Sequence, residues 1–228
     1  MIISGMVKNS LIDYPGLIAC VLFVPGCNYD CFYCHNRHLL EGTHEDMPLQ
    51  NIEAFLEKRA GFLDGVVISG GEPTLQPDLA AFMRMLKKLG YKVKLDTNGS
   101  SPEVVGSLLQ GGLCDYFAVD YKAPAARYEE ICGDHASSEK VLKTIELLLS
   151  HHACFEVRTT VIPQLSDDEL LRMSQELPIL PRYVLNRYRA PEAYPARHEA
   201  KIREQPRKQS EIRALAGLIR PYQPNVIC

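Results

Sequence analysis

The feature that most constrains this chain is an alternation. Short apolar runs, rich in β-branched and aromatic residues and bounded by Gly, Pro or charge, recur at residues 19–24, 65–69, 91–96, 116–121, 155–162 and 182–188. Each reads as a strand. Amphipathic segments lie between them. Residues 49–60 place Ile52, Phe55 and Leu56 on one face, and 78–89 repeat with Leu79, Phe82, Met83 and Leu86 before Gly90 ends the pattern. Residues 102–110 form a shorter candidate, and 139–149 carry Val141, Leu142, Ile145 and Leu148. Ser166 followed by Glu169 has the spacing of a capping box, and a last helix is expected within 211–219. Strand–helix alternation implies parallel strands joined by right-handed crossovers. Six such units are too few for a closed eight-fold barrel. An α/β fold of one of two kinds remains: a partial (β/α)6 barrel or an open doubly wound sheet.

In both architectures the working residues sit at the C-terminal ends of the strands. Cys27, Cys31 and Cys34 follow the first strand, Gly70-Gly71-Glu72-Pro73 the second, and Asp96-Thr97-Asn98-Gly99 the third. Asp120 and Lys122 close the fourth, and Arg158 and Thr160 lie in the fifth. Polar residues at the same place in five units point to a shared pocket. Taken singly, each has a plainer reading. A Gly-Gly pair is usually a turn, and so is Asp-Thr-Asn-Gly. Asp120 and Lys122, two apart and so on one side of a strand, also suit a surface ion pair. Arg158 inside an apolar run needs a partner, either Asp120, Glu156 or a ligand carboxylate.

The chain has 228 residues, 46% hydrophobic and 23% charged, with a net charge of −3. These values suit one globular domain, 1–228, with a core at about 15–190 and a basic, helical C-terminal extension at 191–228. They show no global bias toward nucleic acid or an anionic membrane. The locally basic stretch from Arg182 onward reads as a solvated surface or as a docking face for an acidic partner. No secretory leader and no run of ~20 apolar residues is visible, so the expected compartment is the cytoplasm. Eight cysteines there are reduced thiols or metal ligands rather than disulfides.

Three of the eight fall on one loop. Three thiolates can hold three irons of a cubane cluster and leave the fourth iron open, whereas electron-transfer clusters use four cysteines. Phe32 and Tyr33 would shield such a cluster. Other readings stay open at this level. Structural zinc would recruit His35, His38 or His44. Cys31-Phe32-Tyr33-Cys34-His35 also fits a haem-attachment motif, and buried structural thiols are a third option. Cys20, Cys114, Cys132, Cys154 and Cys228 are scattered and read mostly as buried apolar cysteine.

The Cys27-x-x-x-Cys31-x-x-Cys34 spacing, with an aromatic before the last cysteine, resembles the signature of the radical S-adenosylmethionine (radical SAM) superfamily. The stretches SLIDYPGLIACVLFVPGCNYDCFYCHN, SGGEPTLQ, LDTNG, DYFAVDYKAP and FEVRTTVIP are similar to glycyl-radical-enzyme activating proteins. The similarity is greatest to activating proteins of anaerobic ribonucleoside-triphosphate reductase, over roughly residues 1–165. The resemblance implies a partial (β/α)6 barrel of TIM-like, radical SAM type. It implies a 4Fe–4S cluster on Cys27, Cys31 and Cys34, and reductive cleavage of S-adenosylmethionine followed by removal of a glycine Cα hydrogen from a partner enzyme. A flavodoxin or similar donor would supply electrons. Ser69, Gly70, Gly71 and Glu72 would face the methionine amino group. Asp96 would lie near the cofactor, and Lys122 and Arg158 would meet its carboxylate or ribose oxygens. Asp96, Thr97 and Asp120 would be candidates for a monovalent cation. The sixth strand, Asn186-Arg187-Tyr188-Arg189, lacks the histidine some activases carry, with Arg189 as a substitute. The 7-carboxy-7-deazaguanine synthases, which act on a small molecule, share the Gly-Gly-Glu-Pro segment but tend to begin the third-strand motif with Glu.

Overall fold

The computed structural model describes every residue except 41 and 43. In chain order its elements are β1 (Gly5–Ser10), β2 (Ala19–Val24), α1 (Arg37–Leu40), α2 (Leu49–Arg59), β3 (Gly65–Gly70), α3 (Leu79–Lys88), β4 (Lys92–Thr97), α4 (Pro102–Gln110) and β5 (Tyr116–Asp120). There follow α5 (Tyr128–Cys132), α6 (Ser138–Ser150), β6 (Phe155–Val161), α7 (Asp167–Glu176), β7 (Tyr183–Arg187), α8 (Glu199–Ile202), α9 (Gln209–Ile219) and β8 (Val226–Ile227). The six expected strands are β2 to β7. Strand order follows the chain from β1 to β8. A doubly wound sheet reverses its order at a switch point, so the barrel-type succession of β/α units is the one present.

The chain packs as two compact units. The first comprises Met1–Asn28, His38–Thr97 and Glu103–Ala118. In it β2, β3 and β4 pair in parallel, with Leu22 opposite Ile68 and Ile68 opposite Leu95. Ala19, Cys20, Leu22, Val66, Val67, Ile68, Val93 and Leu95 are fully buried. Continuous apolar runs of this kind belong to parallel strands covered on both faces. Helix α3 buries Leu79, Phe82, Met83 and Leu86, the face its periodicity predicts. Strand β1 was not anticipated. Its sequence, GMVKNS, has no apolar alternation because it is an edge strand, antiparallel to β2, with Val7, Lys8 and Asn9 exposed.

The second unit comprises Tyr29–Arg37, Asn98–Pro102 and Val119–Cys228. Here β6, β7 and β8 are parallel, with Thr159 opposite Leu185. Helix α6 buries Val141, Thr144, Ile145 and Leu148. Helix α7 begins with the expected capping box: Ser166 accepts from the Glu169 amide, and the Glu169 carboxylate accepts from the Ser166 amide. Among the described residues no helix is long and apolar enough to cross a membrane.

Candidate functional site

In the first unit the ends of β2, β3 and β4 form one hydrogen-bonded assembly. Gly70 has φ +118°, and a Cβ there would lie 2.4 Å from the Val24 nitrogen. A Cβ on Gly71 would lie 1.9 Å from the Gly26 carbonyl oxygen. The Gly71 amide donates to the Val24 carbonyl at 2.8 Å and the Glu72 amide to the Gly26 carbonyl at 2.7 Å. The positions that Cβ atoms would take at both glycines are therefore filled by the chain's own backbone. The two glycines let the end of β3 lie directly on the residue that precedes Cys27.

Glu72 is fully buried. Its Oε1 accepts from the Thr74 amide at 3.0 Å, the Thr74 hydroxyl at 2.6 Å and the Thr97 hydroxyl at 2.7 Å. A buried carboxylate demands such donors, and they tie the turn after β3 to the end of β4. Asp96, one residue before Thr97, accepts from the Lys94 ammonium at 2.8 Å through Oδ1 and from the Ser69 hydroxyl at 3.2 Å through Oδ2. Lys94 is 2% exposed and also donates to the Asp13 carbonyl at 2.7 Å. The structure thus brings Ser69, Glu72, Asp96 and Thr97 together, and it adds Lys94, which sequence reasoning missed. An i, i+2 Lys–Asp pair on a strand was the available signal.

In the second unit a cation–carboxylate triad closes β5 and β6. Asp120 accepts from Lys122 at 2.9 Å and from the Arg158 guanidinium at 2.9 Å. Burial pushes the Asp120 carboxyl up, but Arg158 and Lys122 outweigh it and bring it down to about 2. Of the partners the sequence offers Arg158, Asp120 is bonded to it, and Glu156 pairs with Arg182 at 2.9 Å. Lys122 faces Cys31, Tyr33 and Cys132 as well; burial opposes its charge, yet Asp120 and these neighbours hold it well above the usual lysine range.

The part of the cysteine loop in this unit is pinned on several sides. The Asp30 amide donates to the Cys132 carbonyl at 2.8 Å, and the Cys34 amide to the Cys31 carbonyl at 3.1 Å. Gly133, with φ +92°, stands where a Cβ would meet Asp30 Cβ at 2.9 Å. Asp30 pairs with Arg37 and, at 3.6 Å, with Arg197. Lys201 lies over the Phe32 ring at 5.4 Å from its centroid, a cation–π contact, and His198 packs on the same ring. The basic C-terminal stretch is therefore partly a clamp on the cysteine loop rather than a freely solvated face. Cys132 lies near Cys31 and, together with burial, pushes the Cys31 thiol up. Nothing in the spacing of the scattered cysteines marks Cys132 for this contact, which arises from the end of a five-residue helix.

Cys27, Cys31 and Cys34 are free thiols. Thiols bind metal as thiolates, and a nearby cation favours that form. Lys122 lowers the Cys31 thiol from its elevated value, and Lys122 and Arg37 act on Cys34 in the same sense. The buried Tyr33 hydroxyl has no partner among the described residues. Cys31 and Cys34, with Lys122 and Arg37 near them, suit an anionic, thiolate-bound group. Burial pushes the His35 ring down, and the Arg189 backbone opposes this.

Comparison with known proteins agrees with this chemistry. The radical SAM superfamily profile matches residues 21–177. A Methanocaldococcus jannaschii protein named "Putative glycyl-radical enzyme activating enzyme" is 35% identical over 232 residues, covering 99% of this chain and 95% of its own length. A 7-carboxy-7-deazaguanine synthase from Neisseria meningitidis is 32% identical over 134 residues, 58% of each chain. Among solved structures, Streptococcus suis SuiB bound to S-adenosylmethionine matches with a TM-score of 0.61 at 18% identity, over 89% of this chain. This chain spans 48% of that one, and the likeness is one of fold. With the profile covering most of its length and a full-length relative above 30% identity, the chain belongs to the radical SAM superfamily, whose enzymes work with a 4Fe–4S cluster and S-adenosylmethionine.

Proposed function

We propose that this chain is an activating enzyme that cleaves S-adenosylmethionine reductively and removes a glycine Cα hydrogen from a glycyl-radical enzyme, an anaerobic ribonucleotide reductase. The observation that carries the activating role is the similarity, over nearly the whole of both chains, to a relative named as a glycyl-radical enzyme activating enzyme; the reductase as partner follows from the sequence resemblance. When bound, the cluster and S-adenosylmethionine supply the electron and the carbon radical. The chain's own residues bind, orient and exclude water. In this reading Cys27, Cys31 and Cys34 ligate three irons. Ser69, Gly70, Gly71 and Glu72 form the wall beside the methionine amino group, with Asp96 next to it. Lys122 and Arg158, held in place by Asp120, donate to the cofactor carboxylate; charge-assisted bonds of this kind are the strong ones. A flavodoxin or comparable donor delivers the electron.

A second reading, a radical SAM enzyme acting on a small molecule as 7-carboxy-7-deazaguanine synthase does, draws support from the similarity to the Neisseria protein. One series of measurements separates the two. The protein is reconstituted anaerobically with iron and sulfide, reduced, and given S-adenosylmethionine. Formation of 5′-deoxyadenosine is expected, and its loss is expected in Cys27→Ala, Cys31→Ala and Cys34→Ala. A glycyl-radical EPR doublet on adding the reductase selects the activating role. Its absence while 5′-deoxyadenosine still forms selects the small-molecule role, and no 5′-deoxyadenosine at all rejects both.

A further inference from the structure

Lys94 is a lysine almost wholly buried in a parallel strand, where a charge is costly unless another charge answers it. The answering charge is Asp96, two residues on and on the same side of β4, at 2.8 Å. The Asp13 carbonyl, at 2.7 Å, holds the ammonium from the other side. Asp96 has both carboxylate oxygens engaged, one by Lys94 and one by Ser69. Asp120 is likewise engaged by Lys122 and Arg158. Two of the three residues that the family resemblance offers to a monovalent cation, Asp96 and Asp120, thus already face cations built into this chain. A further cation on Asp96 would sit beside the Lys94 ammonium and be repelled by it.

We infer that Lys94 supplies internally the positive charge Asp96 requires, so that this chain binds S-adenosylmethionine without a monovalent cation. Lys94 is a positioning residue in this scheme. It holds Asp96 aimed toward Ser69, at the end of β4 beside the segment assigned to the cofactor. The inference rests on the assignment of that segment to the cofactor and is independent of whether the final substrate is a protein or a small molecule.

The test uses the reconstituted, cluster-loaded protein in potassium chloride, sodium chloride and choline chloride at equal ionic strength. Equilibrium binding of S-adenosylmethionine to the unaltered protein is expected to change less than twofold among the three salts. Lys94→Met leaves Asp96 without its cation, so its binding is expected to weaken tenfold or more in choline and to recover in potassium. The melting temperature of the cluster-free variant should follow the same pattern, rising with potassium but not with choline. Should Lys94→Met not accumulate, Lys94→Gln, which keeps a donor for the Asp13 carbonyl, carries the same expectation. A tenfold potassium requirement in the unaltered protein overturns the inference. So does a folded Lys94 variant indifferent to potassium, which would mark Lys94 as merely structural. If S-adenosylmethionine binds in no salt, the cofactor assignment fails, while the melting comparison still decides the role of Lys94.

Discussion

Replacing Gly71 by alanine should uncouple the cysteine loop from the sheet. The added methyl would stand 1.9 Å from the Gly26 carbonyl oxygen and 2.6 Å from its carbon. Real Cβ atoms do not come closer than 3.0 Å, so one side must move by at least 3.0 − 1.9 = 1.1 Å. The obstacle is backbone and has no rotamer to escape into. A displacement of that size breaks the Glu72 amide bond to the Gly26 carbonyl, now 2.7 Å, and strains the Gly71 amide bond to Val24. Leaving buried backbone groups unmatched costs about 1–3 kcal/mol each, so a total of roughly 2–4 kcal/mol is expected. Because Gly26 precedes Cys27, the reconstituted variant should also lose iron. The control is Gly90→Ala, where φ is +88° but a Cβ meets nothing within 4 Å. That change costs about 1 kcal/mol of backbone strain and should leave iron content unchanged. Denaturant midpoints and iron per chain, measured side by side, test the pair. A Gly71→Ala protein with full iron and unaltered stability would refute the argument that the glycines exist to seat the cysteine loop.

Three further outcomes are expected. The Asp120 carboxyl lies at about 2 in the folded chain against an ordinary 3.8, so its surroundings, with burial opposed and outweighed by the ion pairs, contribute a net of roughly 2 kcal/mol. A depressed carboxyl stabilises above its unfolded value, so the stability advantage over Asp120→Asn should be full above about pH 4 and shrink as pH falls toward 2. A pH-independent gap in denaturation midpoints contradicts this. Cys132→Ala removes the neighbour that, with burial, pushes the Cys31 thiol up, so thiolate ultraviolet absorbance of the iron-free variant should appear at lower pH; an unchanged titration contradicts this. Ser166→Ala removes the α7 cap and should cost about 1 kcal/mol, a melting shift of roughly 2–4 °C, without touching iron binding.

Much of this molecule is local in origin. Strands β2 to β7 and the larger helices are visible because apolar spacing and caps are properties of neighbouring residues. Pro102–Gln110 and the Ser166 cap were legible to the residue. The edge strand β1 and the two-residue strand β8 were not, since neither carries an apolar alternation and each is a strand only through its partner. Short helices such as α5 have too few turns to show a period.

The candidate site divides in the same way. The cysteine triplet and the strand-end positions of Ser69, Glu72, Asp96, Lys122 and Arg158 could be read from sequence, because in β/α units working residues gather where strands end. Some of their partners could be read too: Lys94 and Asp96, like Asp120 and Lys122, lie two apart on a strand, and Asp120 is among the partners the sequence offers Arg158. That Thr97 answers Glu72, that the Asp13 carbonyl holds Lys94, and that Cys132 lies near Cys31 depends on pairings across the fold. Gly70 and Gly71 show the difference most directly. The sequence alone determined that two residues without side chains follow the second core strand. Only the tertiary structure decided that the missing atoms make room for Val24 and Gly26, because steric exclusion acts between whichever backbones the fold brings together, however far apart they lie along the chain.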